Sequence, residues 1–446
     1  MQEGVLGAYE KSQLVVATPD LDVVLAALGE FRAGFKKLPG GNARLGLTLI
    51  ELENVAAGAG TPQQRDMLVQ SMTAGRPRSG AAATGPCDLD IMIFRLREKF
   101  RADYDQWVPA IGKNRVISPV RGFPYVGGGG SGDPYSAGHV DPAPSPRPDR
   151  ASGTETARLG APESAWHPRA PSPGQGARIG LLDTPLYAHE WLAGAYFTRA
   201  HDLIDASAAK RSVPPASEGH GTFVAGLILR QAPGAELIVR PVLGVRAVGR
   251  LWDAANIMAD FVGSGVDILN LSFGCYTDDG QPPLALARAV SLLSSEMLLV
   301  AAAGNHGDID YLRDHGEPLP SWTKGLTGKT PVWPAAMAAV TAVGATGPDG
   351  KRASFSPDVP WVDVTAPGVG VESTYLAQKV RLAAPPKGSP AEQDFFGFAR
   401  WDGTSFAAAT VSGAVASKIE PGRDARQALN EILATRGATV RRFPHR

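Results

Sequence analysis

The chain has 446 residues, long enough for two or three domains, and its 43% hydrophobic and 20% charged content describes a globular protein with ample core. Lys and Arg together number 44, as do Asp and Glu, so the whole-chain charge points to neither nucleic acid nor membrane as a partner. No window is apolar for long enough to span a bilayer, and Cys87 and Cys275 lie too far apart in sequence for a disulfide framework to be read.

The first ten residues lack a basic segment and a sustained apolar run, so no secretory signal is visible. The cytoplasm is the expected compartment, with secretion the alternative for a chain already stripped of its signal. Residues 1 to 120 alternate strand-like and helix-like patterns. Gln13-Leu14-Val15-Val16-Ala17 reads as a strand, and Thr18-Pro19 suits an N-cap followed by a first-turn proline. Leu21, Val24, Leu25, Leu28, Phe31 and Phe35 recur at helical spacing, whereas Leu45, Leu47 and Leu49 alternate as in a strand. Met67-Leu68-Val69 offers one more strand, Leu89, Ile93, Leu96 and Phe100 a second helix, and Val116-Ile117 a closing strand. The order β-α-β-(β)-α-β predicts a small α+β domain of the ferredoxin-like kind.

Residues 121 to 176 are rich in Gly, Pro, Ser and Arg, including Gly127-Gly128-Gly129-Gly130 and Pro142-Ala143-Pro144-Ser145-Pro146. Such a stretch buries too little apolar surface to offset its ordering entropy and reads as a linker. From 177 to 446 strands and helices alternate again, predicting an α/β domain built on a mostly parallel open sheet with helices on both faces. Ala177 to Leu182, Glu236 to Val239, Asp267 to Leu271, Met297 to Ala301 and Ala339 to Val343 are its strands. Asp253 to Val262 and Asp424 to Thr435 read as helices, and the basic tail Arg441 to Arg446 as a solvated end.

Four residues in this second region sit in frames that suit chemistry. Asp183 ends the first strand, where open α/β sheets place their sites. His220 is flanked by Gly219 and Gly221 and followed by an apolar helix. Asn305 follows Ala301-Ala302-Ala303-Gly304, and its amide suits a developing oxyanion. Ser405 follows Gly403-Thr404 at the start of an alanine-rich helix, whose N-terminal N–H groups favour negative charge. Each has a plainer reading: a turn aspartate, a structural histidine, a Gly-Asn turn and an N-cap.

Taken together, Asp183-Thr184-Pro185, His220-Gly221-Thr222, Ala302-Ala303-Gly304-Asn305 and Gly403-Thr404-Ser405 resemble, in order, the motif blocks of the subtilisin-like serine proteases, the subtilases. The resemblance covers residues 177 to 437. It implies a serine endopeptidase with Ser405 as nucleophile, His220 as general base, Asp183 orienting the imidazole, and Asn305 with the Ser405 N–H as oxyanion hole. It also implies that Ser272, Phe273 and Gly274 on one side, and Gly249 within Val248-Gly249-Arg250 on the other, hold an extended peptide by strand addition. Ala303 and Gly304 would line part of the pocket beside the scissile bond. No cofactor is implied for the chemistry. Structural calcium is common in such proteins, but no site is assigned here.

Three departures stand out. Pro185 replaces the usual glycine, and Phe223 stands where histidine is frequent. After Ser405 the chain reads Phe406-Ala407-Ala408-Ala409-Thr410 in place of Met-Ala-Ser/Thr-Pro-His, which restores a backbone N–H and predicts an altered partition of the acyl-enzyme between water and amines. Inserted segments follow Asn305 and Tyr375 and flank the expected cleft. The first carries His306, Asp308, Asp310, Asp314 and His315, which lack metal-ligand spacing and read as a solvated loop. By coarse order, residues 1 to 120 resemble the inhibitory prodomain of a zymogen, with a permanent docking domain as the alternative. The activity expected is peptide-bond hydrolysis, dedicated to processing one cellular peptide or protein. The alternative is a catalytically weak peptide-binding or regulatory protein of the same fold.

Overall fold

The computed structural model describes residues 2–3, 8–38, 41–73, 86–119, 133–136, 173–199, 202–204, 213–244, 246–317, 319, 323–383, 385, 390–420, 423–435 and 439–443. In the N-terminal half, strands β1 (Gln2–Glu3) and β2 (Ala8–Ala17) are followed by α1 (Leu21–Glu30), β3 (Phe35–Lys37) and β4 (Leu47–Leu52). Helices α2 (Val55–Ala59), α3 (Pro62–Thr73) and α4 (Asp88–Asp103) lead to β5 (Ile111–Pro119). The strands run β5-β2-β4-β3, each antiparallel to its neighbour. Alternation divides β2 between two cores: Leu14 and Val16 pack under α1 and α4 with Val24, Leu28, Met92 and Leu96, while Val15 and Ala17 face the C-terminal half.

Several local expectations are corrected. The first helix stops at Glu30, and Phe35 lies in β3 instead of extending it, because Arg32 takes a positive φ of 58° and turns the chain. Met67-Leu68-Val69, expected as one more strand, lies within α3, and the additional strand is instead β3, before β4. Thr18 opens a single 3-10 turn without a side-chain cap; its hydroxyl pairs with that of Thr48. Leu45 precedes β4, which starts at Leu47.

Within the Gly/Pro-rich segment the described residues include β6 (Tyr135–Ser136), which adds an edge to the sheet of β16 (Val371–Thr374) and β19 (Phe398–Trp401). The rest of the expected linker lies outside the described residues, save its last four. The C-terminal half then alternates: β7 (Arg178–Asp183), β8 (Tyr196–Phe197), α5 (His220–Gln231), β9 (Glu236–Pro241), β10 (Gly249–Arg250), α6 (Leu251–Ala259), β11 (Ile268–Leu271), β12 (Phe273–Gly274), α7 (Leu284–Leu293) and β13 (Leu298–Ala302). After α8 (Ile309–Asp314) come β14 (Thr341–Thr346), β15 (Val364–Pro367), the hairpin β17 (Lys379–Arg381) with β18 (Glu392–Asp394), α9 (Thr404–Ala416), α10 (Ala425–Ala434) and β20 (Arg441–Arg442).

The main sheet has the order β20-β15-β14-β13-β11-β7-β9-β8 and is parallel except for β20. Its strands are apolar on both faces, as a sheet covered twice requires. In β13, Leu298, Val300 and Ala302 belong to the core shared with α5 and α9, while Leu299 and Ala301 belong to the core shared with α6 and α7. The N-terminal sheet presses its second face on α6 and α7, with Leu47 and Leu49 joining Trp252, Leu286 and Ala289 in one core. No helix among the described residues is long and apolar enough to cross a membrane.

The inserted segment after Asn305 differs from the solvated loop expected of it. His306 is fully buried, with its ring edge-on to Tyr276 at 5.4 Å, and Asp308 is nearly so, while Ile309, Leu312 and Leu326 form a small core on which Tyr276 also packs. Burial also pushes the His306 imidazole down to about 4, despite its hydrogen bond to the Thr330 carbonyl, so the ring is neutral at ordinary pH.

Candidate active site

Parallel strands deliver the site residues to one edge of the sheet. Asp183 is the last residue of β7, and its Oδ1 takes the N–H of Thr184 at 2.7 Å. The Thr184 hydroxyl donates to the Glu218 carbonyl at 3.1 Å and accepts from Gly221 N at 2.9 Å, tying this turn to the start of α5. His220 begins α5, and its Nδ1 lies 2.7 and 3.0 Å from the two Asp183 carboxylate oxygens. Both residues are buried. A carboxylate only accepts, so Nδ1 carries the proton and Nε2 is left as the basic nitrogen. A Cβ on Gly221 would lie 2.5 Å from the Thr184 carbonyl, so only glycine lets the strand end approach the helix this closely.

Aromatic rings wall the imidazole. Trp401 meets it edge-on at 5.7 Å and Phe406 lies at 5.4 Å. Phe223, where histidine is frequent in the resembled family, is fully buried and packs on Phe406 at 4.5 Å. Two departures from the usual pattern therefore fill one another's space.

Ser405 is the second residue of α9, inside the helix, with Gly403 at the N-cap position. Its hydroxyl donates to the Ser272 carbonyl at 3.4 Å, a long contact, and its own carbonyl accepts from the Ser272 hydroxyl at 3.3 Å. Asn305 is tied to the same turn. Its Oδ1 accepts from both the N–H and the hydroxyl of Thr404, each at 2.9 Å, and Thr404 Oγ1 in turn accepts from Gly304 N at 3.1 Å. With its oxygen held there, the amide presents its NH2 end beside Gly403; a Cβ on that glycine would lie 3.5 Å from Nδ2.

The structure thus brings Asp183 and His220 into contact, places Phe406 of the Ser405 turn against His220, and clamps Asn305 to Thr404. Of the residues expected to bind substrate, Phe273, Gly274 and Gly249 line one groove, described below, whereas the Ser272 side chain is buried against Asn270 and the Ser405 carbonyl. Ala303 turns its methyl group away, into a cluster with Val359, Val362 and Phe443. Gly304 lies beneath His306 and Val332; a Cβ added there would be 2.7 Å from His306 Nδ1 and 2.9 Å from Val332.

Sequence reading missed Asn270. It accepts from the Ser412 hydroxyl at 3.0 Å and donates to Ser272 Oγ at 2.8 Å, so a buried polar chain links the two segments around Ser405. An amide inside the apolar run Ile268-Leu269-Asn270-Leu271 was the available signal, because a buried polar group requires partners.

The groove between β10 and β12 is filled by the chain itself. Strand β5 lies antiparallel to both: Ile117 opposes Gly249 and Val116 opposes Arg250, while Ser118 opposes Gly274 and Pro119 opposes Phe273. Gly249 is forced by its neighbours, since a Cβ there would fall 1.9 Å from the Val242 carbonyl. Asn114 precedes this segment and accepts the N–H of Trp252 in the first turn of α6 at 3.0 Å. Among the described residues no group of three or more His, Cys, Asp or Glu is placed to hold a metal ion.

The chain is similar in sequence to known proteins. A family model described as "Subtilase family" matches residues 174–431. Subtilisin Savinase from Lederbergia lenta is 32% identical over 258 residues, 54% of this chain and 76% of that protein. The thermostable alkaline protease of Halalkalibacterium halodurans is 31% identical over 223 residues, 46% of this chain and 51% of that one, so the match spans about half of that relative's length. Among solved structures, a lanthipeptide protease is 25% identical with a TM-score of 0.43, covering 58% of this chain and 79% of its own.

Proposed function

Because the chain belongs to the subtilase family, we propose that it is a serine endopeptidase working through an acyl-enzyme. Ser405 Oγ attacks the scissile carbonyl, and His220 Nε2 takes its proton and returns it to the leaving amine. Asp183 holds the imidazole in the required tautomer and stabilises the imidazolium. The Asn305 amide and the Ser405 N–H receive the oxyanion. The observation that carries this reading is the buried Asp183–His220 pair, with both carboxylate oxygens within 3.0 Å of Nδ1. The Ser405 hydroxyl turns about χ1 from the Ser272 carbonyl to Nε2 before attack. No cofactor takes part in the chemistry.

Residues 1–120 are read as a ferredoxin-like inhibitory domain. The pairing of β5 with β10 and β12 supports this over a docking domain that leaves the groove open. That cover, together with the two insertions, also supports a restricted role in processing a particular peptide or protein. A fluorophosphonate probe tests the chemistry: it labels the wild-type chain and fails to label Ser405→Ala. Mass spectrometry tests the inhibitory domain, which predicts cleavage between residues 119 and 173 in wild type and none in Ser405→Ala.

A second reading, a weakly catalytic peptide-binding or regulatory protein, is favoured by the hydrogen bond that the Ser405 hydroxyl gives to Ser272 O. Absence of labelling in the cleaved wild-type chain selects it.

A further inference from the structure

Strand β5 lies in the groove as an extended peptide does, so its side chains map what the groove touches upstream of the paired segment. Arg115 is three residues before Ser118, the residue opposite Gly274. Its side chain is 7% exposed, and its guanidinium reaches across to the C-terminal half. Nη2 donates to Asp278 Oδ1 at 2.6 Å, and Nη1 reaches the Tyr276 carbonyl at 3.4 Å. A buried guanidinium is costly unless its charge is matched, and here the matching carboxylate belongs to the wall of the groove. Lys113, two residues earlier, lies 3.6 Å from Asp278 Oδ2, but its nearer partner is Asp90 of its own domain.

Of the two cations near this wall, Arg115 is the one hydrogen-bonded to it. Asp278 follows β12 by four residues, so pairing of Gly274 with a peptide brings the carboxylate to a set distance along the strand. A carboxylate and a carbonyl oxygen side by side suit the planar, multi-donor guanidinium better than an ammonium. Burial raises the Asp278 carboxyl, but Lys113 and Arg115 outweigh this and bring it down to about 2, so it is charged throughout the ordinary pH range.

We infer that Asp278 and the Tyr276 carbonyl form a remote substrate subsite that selects a basic side chain, arginine above all, three residues upstream of the peptide residue that pairs with Gly274. This rests on the reading of the β10–β12 groove as the peptide-binding groove. The chain's own Arg115 occupies the subsite in the inhibited form, and a substrate presents its arginine there once β5 has left.

Two experiments on the full chain separate the subsite from the protease reading. In the first, three peptides with the sequence of residues 111–124, carrying Arg, norleucine or Glu at the place of Arg115, compete in one tube with the wild-type chain. Their consumption is followed by mass spectrometry, so that the fraction of open groove cancels from the ratios. The Arg peptide is consumed roughly 10- to 100-fold faster than the norleucine peptide, and the Glu peptide slowest. With Asp278→Asn the first ratio falls to within about 3-fold. Equal consumption by wild type, or an unchanged preference in Asp278→Asn, overturns the subsite and leaves the protease reading intact.

The second experiment needs no turnover. In the Ser405→Ala chain, Asp278→Arg raises amide exchange across residues 116–118 by roughly tenfold or more, and adding Arg115→Glu restores protection. Unchanged exchange in Asp278→Arg overturns the subsite. Restoration by the paired change, with no peptide consumed by wild type, upholds the subsite and overturns the protease reading.

Discussion

Asn114→Ala is the sharpest test of how the N-terminal domain is held. The Asn114 side chain is buried, accepts from Trp252 N at 3.0 Å and donates to Gln13 Oε1 at 2.8 Å. Trp252 N belongs to the first turn of α6, where Arg250 at the N-cap position provides no side-chain cap of its own. Asn114 therefore caps a helix of the other half of the molecule. Loss of a helix cap costs about 1 kcal/mol, up to about 2 where the donor is buried without water. The orphaned Gln13 oxygen adds about 0.5 to 1 kcal/mol. A total near 2 kcal/mol raises the undocked fraction about 30-fold. Hydrogen exchange on the full Ser405→Ala chain reads this directly. Protection of residues 116–118 and of the first turn of α6 falls by about that factor, while β11 and β13 in the central sheet keep theirs. Asn114→Asp retains the acceptor and places negative charge at a helix N-terminus, so it recovers most of the protection. Unchanged exchange in the alanine variant, or an equal loss in β11 and β13, refutes the reasoning.

Three further outcomes follow from the same geometry. Asp183→Asn leaves the imidazole position but favours the wrong tautomer, so kcat measured on a peptide substrate falls by about 10⁴-fold, as in the chymotrypsin-like case from which that figure comes, with little change in KM. Asp278 is charged when docked, with Lys113 and Arg115 facing it, Asp279 beside Arg115 and Asp90 on the far side of Lys113. Its carboxyl lies lower when docked than free. Docking is therefore fully supported above the ordinary carboxylate range, and is weakened as pH falls from about 4 toward 2. Exchange of β5 measured across pH, corrected for intrinsic rates, checks that it is flat from about pH 5 upward. Finally, Ala409→Pro changes the hydrolysis-to-aminolysis ratio of the acyl-enzyme, measured with an added amine nucleophile; an unchanged ratio removes the proposed link between that helix position and partition.

Much of the molecule was legible in the order of its residues. Apolar runs at the length of buried strands located β7, β9, β11, β13 and β14, because a sheet covered on both faces needs them regardless of what covers it. The local frames of Asp183, His220 and Ser405 were legible because each is short-range: a strand end before Thr184, glycines around His220, and a Gly-Thr-Ser turn into α9. Errors fell where local signals compete. Met67-Leu68-Val69 is as apolar as a strand but sits in a helix, and Phe35 continues a helical spacing that the turn at Arg32 has already broken. His306 looked like part of a polar loop, yet it is buried, with its ring against Tyr276 from well upstream in the chain.

The pairing of Asp183 with His220, and the filling of the groove by β5, depend on contacts between residues far apart in the chain. Nothing local in Val116-Ile117-Ser118-Pro119 distinguishes a strand that closes its own sheet from one that also lies between Gly249-Arg250 and Phe273-Gly274. Those choices came from backbone hydrogen bonds that any extended segment offers, made specific by a few side chains such as Asn114 and Arg115. Patterns of residues were enough to set out the parts and to put Ser405, His220, Asp183 and Asn305 in their frames. Tertiary structure alone decided that one part occupies the groove of the other, because the partners that select that arrangement lie more than a hundred residues apart in the chain.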